Sequence, residues 1–296
     1  MSKKFKGTGV AIVTPFLKSG KVDFKALENL VEHIIVNKVD FIVGLGTTSE
    51  AVTLTDAEKT EVMKCVIDCV DERVPVVVGI GGNNTHAVVD TIKKYDFTGI
   101  SGILSVAPYY NKPNQRGISE HFSMIAEACP VPIILYNVPG RTSSNIAAQT
   151  VVELANDHWN VVAVKEASGD LDQVSEIIRL RPEGFLVLSG DDALTLPMMA
   201  LGADGVISVV ANAFPAGFSA MVRLIEKGKF DEARAVHYSL IEIIHQLFAD
   251  GNPAGVKAAL SILGVCKNYL RLPMVTANKV VYNKLKQLID NYQTPL

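Results

Sequence analysis

Eight short aliphatic runs, each followed by a helical pattern, predict an α/β fold for this 296-residue chain: a TIM (β/α)8 barrel with a C-terminal helical appendage. The runs recur at intervals of about 25 to 30 residues, the length of one strand-and-helix unit. Beyond Lys227-Gly228-Lys229 the alternation stops and only helical patterns remain. The predicted division is therefore a barrel domain over residues 1–228 and a helical domain over 229–296.

The runs are β-branched and aliphatic without alternation, as parallel strands covered on both faces must be. The first strand is predicted at 9–13, stopped by Thr14-Pro15, and Asp23 opens a helix that ends near Asn37. The second strand spans 41–44, and Asp56 caps the helix that starts at Ala57-Glu58. Strand three spans 76–79, with a helix from Thr85; strand four spans 102–106, with a helix from about Ser119. Strand five spans 133–136, followed by a helix over 146–156. Strand six spans 161–164, and Asp170 or Leu171 opens the helix that runs through Ile177-Ile178. Strands seven and eight span 185–188 and 205–208. Residues 230–249, 253–263 and 278–291 read as the three helices of the appendage.

Composition narrows the function. Twenty-eight basic against 31 acidic residues give a net charge of -3, which supplies no electrostatic footprint for nucleic acid or a membrane surface. The basic start Met1-Ser2-Lys3-Lys4-Phe5-Lys6 is followed by an apolar stretch too short for a signal peptide, and no run is long enough to span a bilayer. A cytoplasmic location is expected. Cys65 and Cys69 lie four apart without partnering histidines, and Cys129 and Cys266 are isolated, so reduced thiols are expected rather than a zinc site. In that setting the Asn83-Asn84-Thr85 sequon is an accident of composition.

In such a barrel the residues just after each strand share one site. Lys165 ends the run Val161-Val162-Ala163-Val164. Burial against apolar walls disfavours the charged ammonium, and a neutral amine attacks carbonyls, so Schiff-base chemistry is the leading reading. The bland alternative is a lysine that merely caps a strand in water. After strand two, Gly44-Leu45-Gly46-Thr47-Thr48-Ser49-Glu50 suits a carboxylate or a phosphate; it fails as a dinucleotide fingerprint because Ser49 holds the third glycine position. After strand four, Tyr109 and Tyr110 lie between Pro108 and Pro113 in a stiff loop, as packing residues, interface anchors or part of the site. Strand five delivers Tyr136 and then Arg141; a tyrosine can pass protons, and an arginine grips a carboxylate with two parallel bonds. After strand seven, Asp191-Asp192 lacks a third metal ligand, and Asp192 reads as the cap of the next helix. None of the six histidines falls at a predicted strand tip. One lysine, several hydroxyls and one arginine, without a metal-ligand cluster, point to a metal-independent, imine-forming aldolase acting on a carboxylated keto compound.

The motifs Gly46-Thr47-Thr48, Pro108-Tyr109-Tyr110-Asn111, Leu135-Tyr136-Asn137-Val138-Pro139 and Lys165-Glu166-Ala167 occur in that order. With them the chain resembles the pyruvate-dependent class I lyases, the family of N-acetylneuraminate lyase and dihydrodipicolinate synthase, from Val10 to Met274. Arg141 in Pro139-Gly140-Arg141-Thr142 resembles the branch that condenses pyruvate with L-aspartate 4-semialdehyde, towards diaminopimelate and lysine. The resemblance implies that Lys165 forms an imine with pyruvate and that no other cofactor is needed. It implies that Tyr136 exchanges protons beside it, and that Thr47 and Tyr110 complete a hydroxyl relay, Tyr110 reaching into a neighbouring subunit. Thr48 would bind the pyruvate carboxylate, with backbone help near Gly190 and Ile207, and Arg141 the carboxylate of the semialdehyde. A homotetramer built as a dimer of dimers is implied as well.

The chain departs from the family pattern in two places. Ser49 and Ala51 replace a glycine and a serine found in many relatives. At the site where lysine inhibits some members, Asn83 and Tyr109 match, but Asp56, Lys59 and Ala87 stand where histidines and a glutamate are used. Asn83 and Tyr109 thus read as a remnant allosteric site, with weak or absent feedback inhibition by lysine. Two other readings stay open: a lyase for a keto-sugar acid on the same fold, and a catalytically silent barrel.

Overall fold

Each predicted strand exists because an aliphatic run pairs with its neighbours and is covered by helices. In the computed structural model, which describes residues 2–293, eight parallel strands close into a barrel in the order β1 to β8. They are β1 (Gly7–Ala11), β2 (Phe41–Gly44), β3 (Val76–Gly79), β4 (Gly102–Val106), β5 (Ile133–Asn137), β6 (Val161–Glu166), β7 (Leu186–Ser189) and β8 (Gly205–Ser208). The helices are α1 (Phe24–Val36), α2 (Asp56–Val70), α3 (Thr85–Lys94), α4 (Gln115–Ala128), α5 (Pro139–Thr142), α6 (Ala148–Asp157), α7 (Leu171–Leu180), α8 (Thr195–Ala200) and α9 (Pro215–Glu226). α10 (Phe230–Phe248), α11 (Ala254–Ile262) and α12 (Lys279–Asp290) form the helical appendage. Met1 and residues 294–296, the outer ends of the two predicted domains, lie outside the described residues.

The described residues group into two compact units, one drawn from residues 2–6 and 75–207, the other from residues 7–74 and 208–293. In the first unit β3 to β8 pair in sequence, and Tyr136 and Lys165 are direct partners across β5 and β6. In the second, β1 pairs with β2, Gly9 opposite Phe41. A Cβ on Gly9 would lie 2.2 Å from Phe41 Cζ, so only glycine lets that ring lie flat on the strand.

Several boundaries are corrected. β1 starts at Gly7, two residues before the predicted 9–13 strand, and ends at Ala11; pairing with β2 overrides the weak strand preference of its glycines. α4 starts at Gln115 rather than near Ser119, because Asn114 caps it by accepting from Gly117 N. Asp56 is not a cap. Thr55 holds that role in a reciprocal capping box with Glu58, and Asp56 sits in the first turn. Asp191, not Asp192, makes the turn before α8, its Oδ1 accepting from Ala193 N at 2.9 Å and Leu194 N at 3.3 Å. Asn84 caps the helix that starts at Thr85, its carbonyl oxygen accepting from Ala87 N.

Candidate active site

β6 extends through Lys165 and Glu166, so the lysine is the strand's penultimate residue and not a loop residue. It is 5% exposed, and its Nζ lies 4.3 Å from the centre of the Tyr136 ring. Among the described residues no carboxylate pairs with that nitrogen. Tyr136 is also buried, on the neighbouring tip of β5. A lysine amine held at a buried strand tip beside a tyrosine is a residue pair that suits imine chemistry on a carbonyl.

The next strand tip closes against this pair. Gly190 N donates to Glu166 O at 2.7 Å, and a Cβ on Gly190 would lie 3.1 Å from Lys165 Cε. Ile207 is buried on β8, one residue beyond the Ser189–Val206 pair that joins β7 to β8. Arg141 is exposed and is the penultimate residue of α5, the turn that Pro139 starts. Tyr110 is 86% exposed with φ of 76°, a left-handed conformation costly for a side chain of this size. Its N donates to Thr142 O at 3.4 Å, so the tyrosine loop leans on the arginine loop. Asn83 Nδ2 donates to Tyr109 O at 3.2 Å, which brings together the two residues of the predicted remnant site.

In the other unit Thr47 and Thr48 occupy a short 3-10 turn after β2. Thr47 is exposed, while Thr48 is buried and its Oγ1 accepts from Asn252 Nδ2 at 2.9 Å. Because the oxygen accepts there, the hydroxyl proton is free to donate elsewhere. Ser49, one of the departures noted above, donates from Oγ to Ile12 O at 2.6 Å and anchors the turn. Glu50 follows at φ 53°, buried, with its carboxylate against Lys257 Nζ and Arg271 N. Lys257 also donates to Tyr269 O at 2.9 Å and lies 4.1 Å from the Phe16 ring centre. Burial pushes the Lys257 pKa down, and the Glu50 charge opposes that shift.

Asn252, Glu50 and Lys257 were not singled out in the sequence. Lys257 had a signal, a charge inside the apolar helix Ala254–Ile262, which only a buried partner can explain. Glu166 had one too, as a second charge ending a buried strand. Among the described residues no group of three or more His, Cys, Asp or Glu side chains is gathered as for a metal, and no helix is long and apolar enough to cross a membrane.

Known proteins resemble the chain along nearly its whole length. The model of the dihydrodipicolinate synthetase family matches residues 4–292. A 4-hydroxy-tetrahydrodipicolinate synthase of Parabacteroides distasonis is 50% identical over 284 residues, which cover 96% of each chain. The crystal structure of dihydrodipicolinate synthase from Aquifex aeolicus superposes with a TM-score of 0.94 at 43% identity, covering 99% of both chains. A monomeric dihydrodipicolinate synthase variant superposes with a TM-score of 0.95 at 37% identity, covering 98% of this chain and 97% of its own.

Proposed function

The chain belongs to the dihydrodipicolinate synthetase family, and on that premise we propose that it condenses pyruvate with L-aspartate 4-semialdehyde as a 4-hydroxy-tetrahydrodipicolinate synthase, a step towards diaminopimelate and lysine. The observation that carries the mechanism is the buried Lys165 amine over the Tyr136 ring. Neutral Lys165 Nζ attacks the pyruvate ketone, water leaves, and an iminium forms. The iminium acidifies the methyl group, whose proton departs to leave an enamine. The enamine carbon attacks the aldehyde of the second substrate. That substrate's amine then displaces Lys165 by transimination, which closes the ring and returns the free enzyme.

Tyr136 delivers and receives the protons of these steps, with Thr47 and Tyr110 as a relay to water. Thr48 donates to the pyruvate carboxylate, a role its hydrogen bond from Asn252 supports. Backbone groups at Gly190 and Ile207 assist it. The exposed Arg141 guanidinium takes the carboxylate of the semialdehyde, a bidentate match. The covalent lysine imine makes any further cofactor unnecessary. The protein works in the cytoplasm as a homotetramer, and the exposure and left-handed φ of Tyr110 support its use by a neighbouring copy. Sedimentation velocity tests the assembly.

The central test is chemical trapping. Incubation with pyruvate, borohydride reduction and peptide mapping should place the added mass on Lys165. A label on another residue, or none, refutes the mechanism, and absence of label favours a silent barrel.

A further inference from the structure

Lys165 and Tyr136 face one another across β6 and β5, and the residues after them, Glu166 and Asn137, do the same. Successive side chains on a strand point to opposite faces. The lysine–tyrosine pair is therefore backed by a glutamate–asparagine pair on the other side of the sheet. Glu166 is 1% exposed, and among the described residues its oxygens meet no cation. They accept instead from Asn137 Nδ2 at 3.0 and 3.2 Å, Ser168 N at 2.7 Å and Gln173 Nε2 at 2.9 Å. A buried carboxylate is costly unless donors replace its water, and here neutral N–H groups do so.

Asn137 carries the network onward. Its Oδ1 accepts from Ile146 N at 2.9 Å, and its Nδ2 also donates to Asn145 Oδ1 at 2.7 Å. Asn145 Nδ2 donates to Gln173 Oε1 at 2.7 Å, and Gln115 bonds the backbone of Asn145 and Ala147. The segment that leaves β5 at Asn137 and is tied back at Asn145 and Ile146 is the loop carrying Arg141. One hydrogen-bonded set thus holds the lysine strand, the tyrosine strand and both ends of the arginine loop.

We propose that Glu166 and Asn137 are positioning residues for this reaction: they aim Lys165 and Tyr136 at the ketone and seat Arg141 for the second substrate, so that one buried carboxylate serves both halves of the condensation. The inference rests on the imine mechanism proposed above. An ionised carboxylate only accepts, and all its neighbours donate. Glu166→Gln therefore turns an amide donor against another donor. The exchange Asn137→Asp with Glu166→Gln restores a bond between the two positions with its direction reversed.

The test compares wild type, Glu166→Gln and the double exchange by borohydride trapping at saturating pyruvate, by the KM for semialdehyde, and by the thermal midpoint. Misplacement of a reacting group by about 1 Å costs about 100-fold. Trapping by Glu166→Gln should slow on that scale at temperatures where the protein is folded, and its KM for semialdehyde should rise. The double exchange should regain a large part of both. Folded Glu166→Gln that traps pyruvate and uses semialdehyde like wild type overturns the proposal, as does a double exchange no better than the single. If Glu166→Gln does not fold, Gln173→Leu removes one donor from the half-buried side of the network. A several-fold slower trapping rate in that variant supports the proposal, and a wild-type rate overturns it. Wild type labelled away from Lys165 overturns both this proposal and the mechanism beneath it, whereas correct wild-type labelling with unaffected variants overturns this one alone.

Discussion

Replacing Gly190 with alanine tests how tightly the strand tips hold Lys165. The new Cβ would sit 2.6 Å from Ala167 Cβ, 3.1 Å from Glu166 O and 3.1 Å from Lys165 Cε. Carbon atoms pack at about 3.5 to 4.0 Å, so something must move by about 1 Å. Ala167 Cβ and Glu166 O are fixed to the backbone, and the 2.7 Å bond from Gly190 N to Glu166 O pins the two strands together. The lysine side chain can yield to its own 3.1 Å contact, but the 2.6 Å contact with Ala167 Cβ is relieved only if the two strand tips part, which carries Lys165 along with β6. Overpacking of this kind costs about 1 to 3 kcal/mol of stability, and a displaced nucleophile costs about 100-fold in rate. Pyruvate trapping by Gly190→Ala should therefore slow by about two orders of magnitude, with a thermal midpoint lower by several degrees. A trapping rate within about twofold of wild type would mean that the tip has room to spare, contrary to the contact distances and to the overpacking cost assumed here.

Arg141→Ala should leave pyruvate trapping intact while raising the KM for semialdehyde; equal loss of both, measured side by side, would remove the arginine from its assigned role. The Arg271 guanidinium beside Glu58 holds that carboxyl at about 2, below its ordinary 4.5. A depressed carboxyl adds stability that is full above pH 4.5 and lost as pH falls through about 2. The pair is partly exposed, so the contribution is about 2 kcal/mol rather than the full value of the shift. Arg271→Met should lower the thermal midpoint more at pH 7 than near pH 2, where only the loss of its bonds to Gly20 O and Thr53 O remains, and an equal deficit at both pH values would refute the linkage. Lysine should inhibit weakly or not at all, because Asp56, Lys59 and Ala87 stand where lysine-inhibited members use histidines and a glutamate, so that an acidic partner is lost and a cation added; half-inhibition by sub-millimolar lysine in a steady-state assay would contradict this.

The sequence by itself determined the repeating architecture and singled out Lys165 as the proposed nucleophile. Strands at Phe41–Gly44, Val76–Gly79, Gly102–Val106 and Gly205–Ser208 fall where the aliphatic runs place them, because a strand buried on both faces writes its own continuous signature. Lys165 stood out for a local reason as well, a charge at the end of such a run. Caps were less legible, since Thr55 and Asp56, or Asp191 and Asp192, are adjacent residues of similar capping ability, and the backbone path chooses between them. Only the tertiary structure decided which distant residues pair around the candidate site. Glu166 and Asn137 are 29 residues apart, Thr48 and Asn252 are 204 apart, and Glu50 and Lys257 are 207 apart. No local pattern encodes such partners: they meet only once strand register and the return of the chain are fixed, and it is burial that makes each partner obligatory.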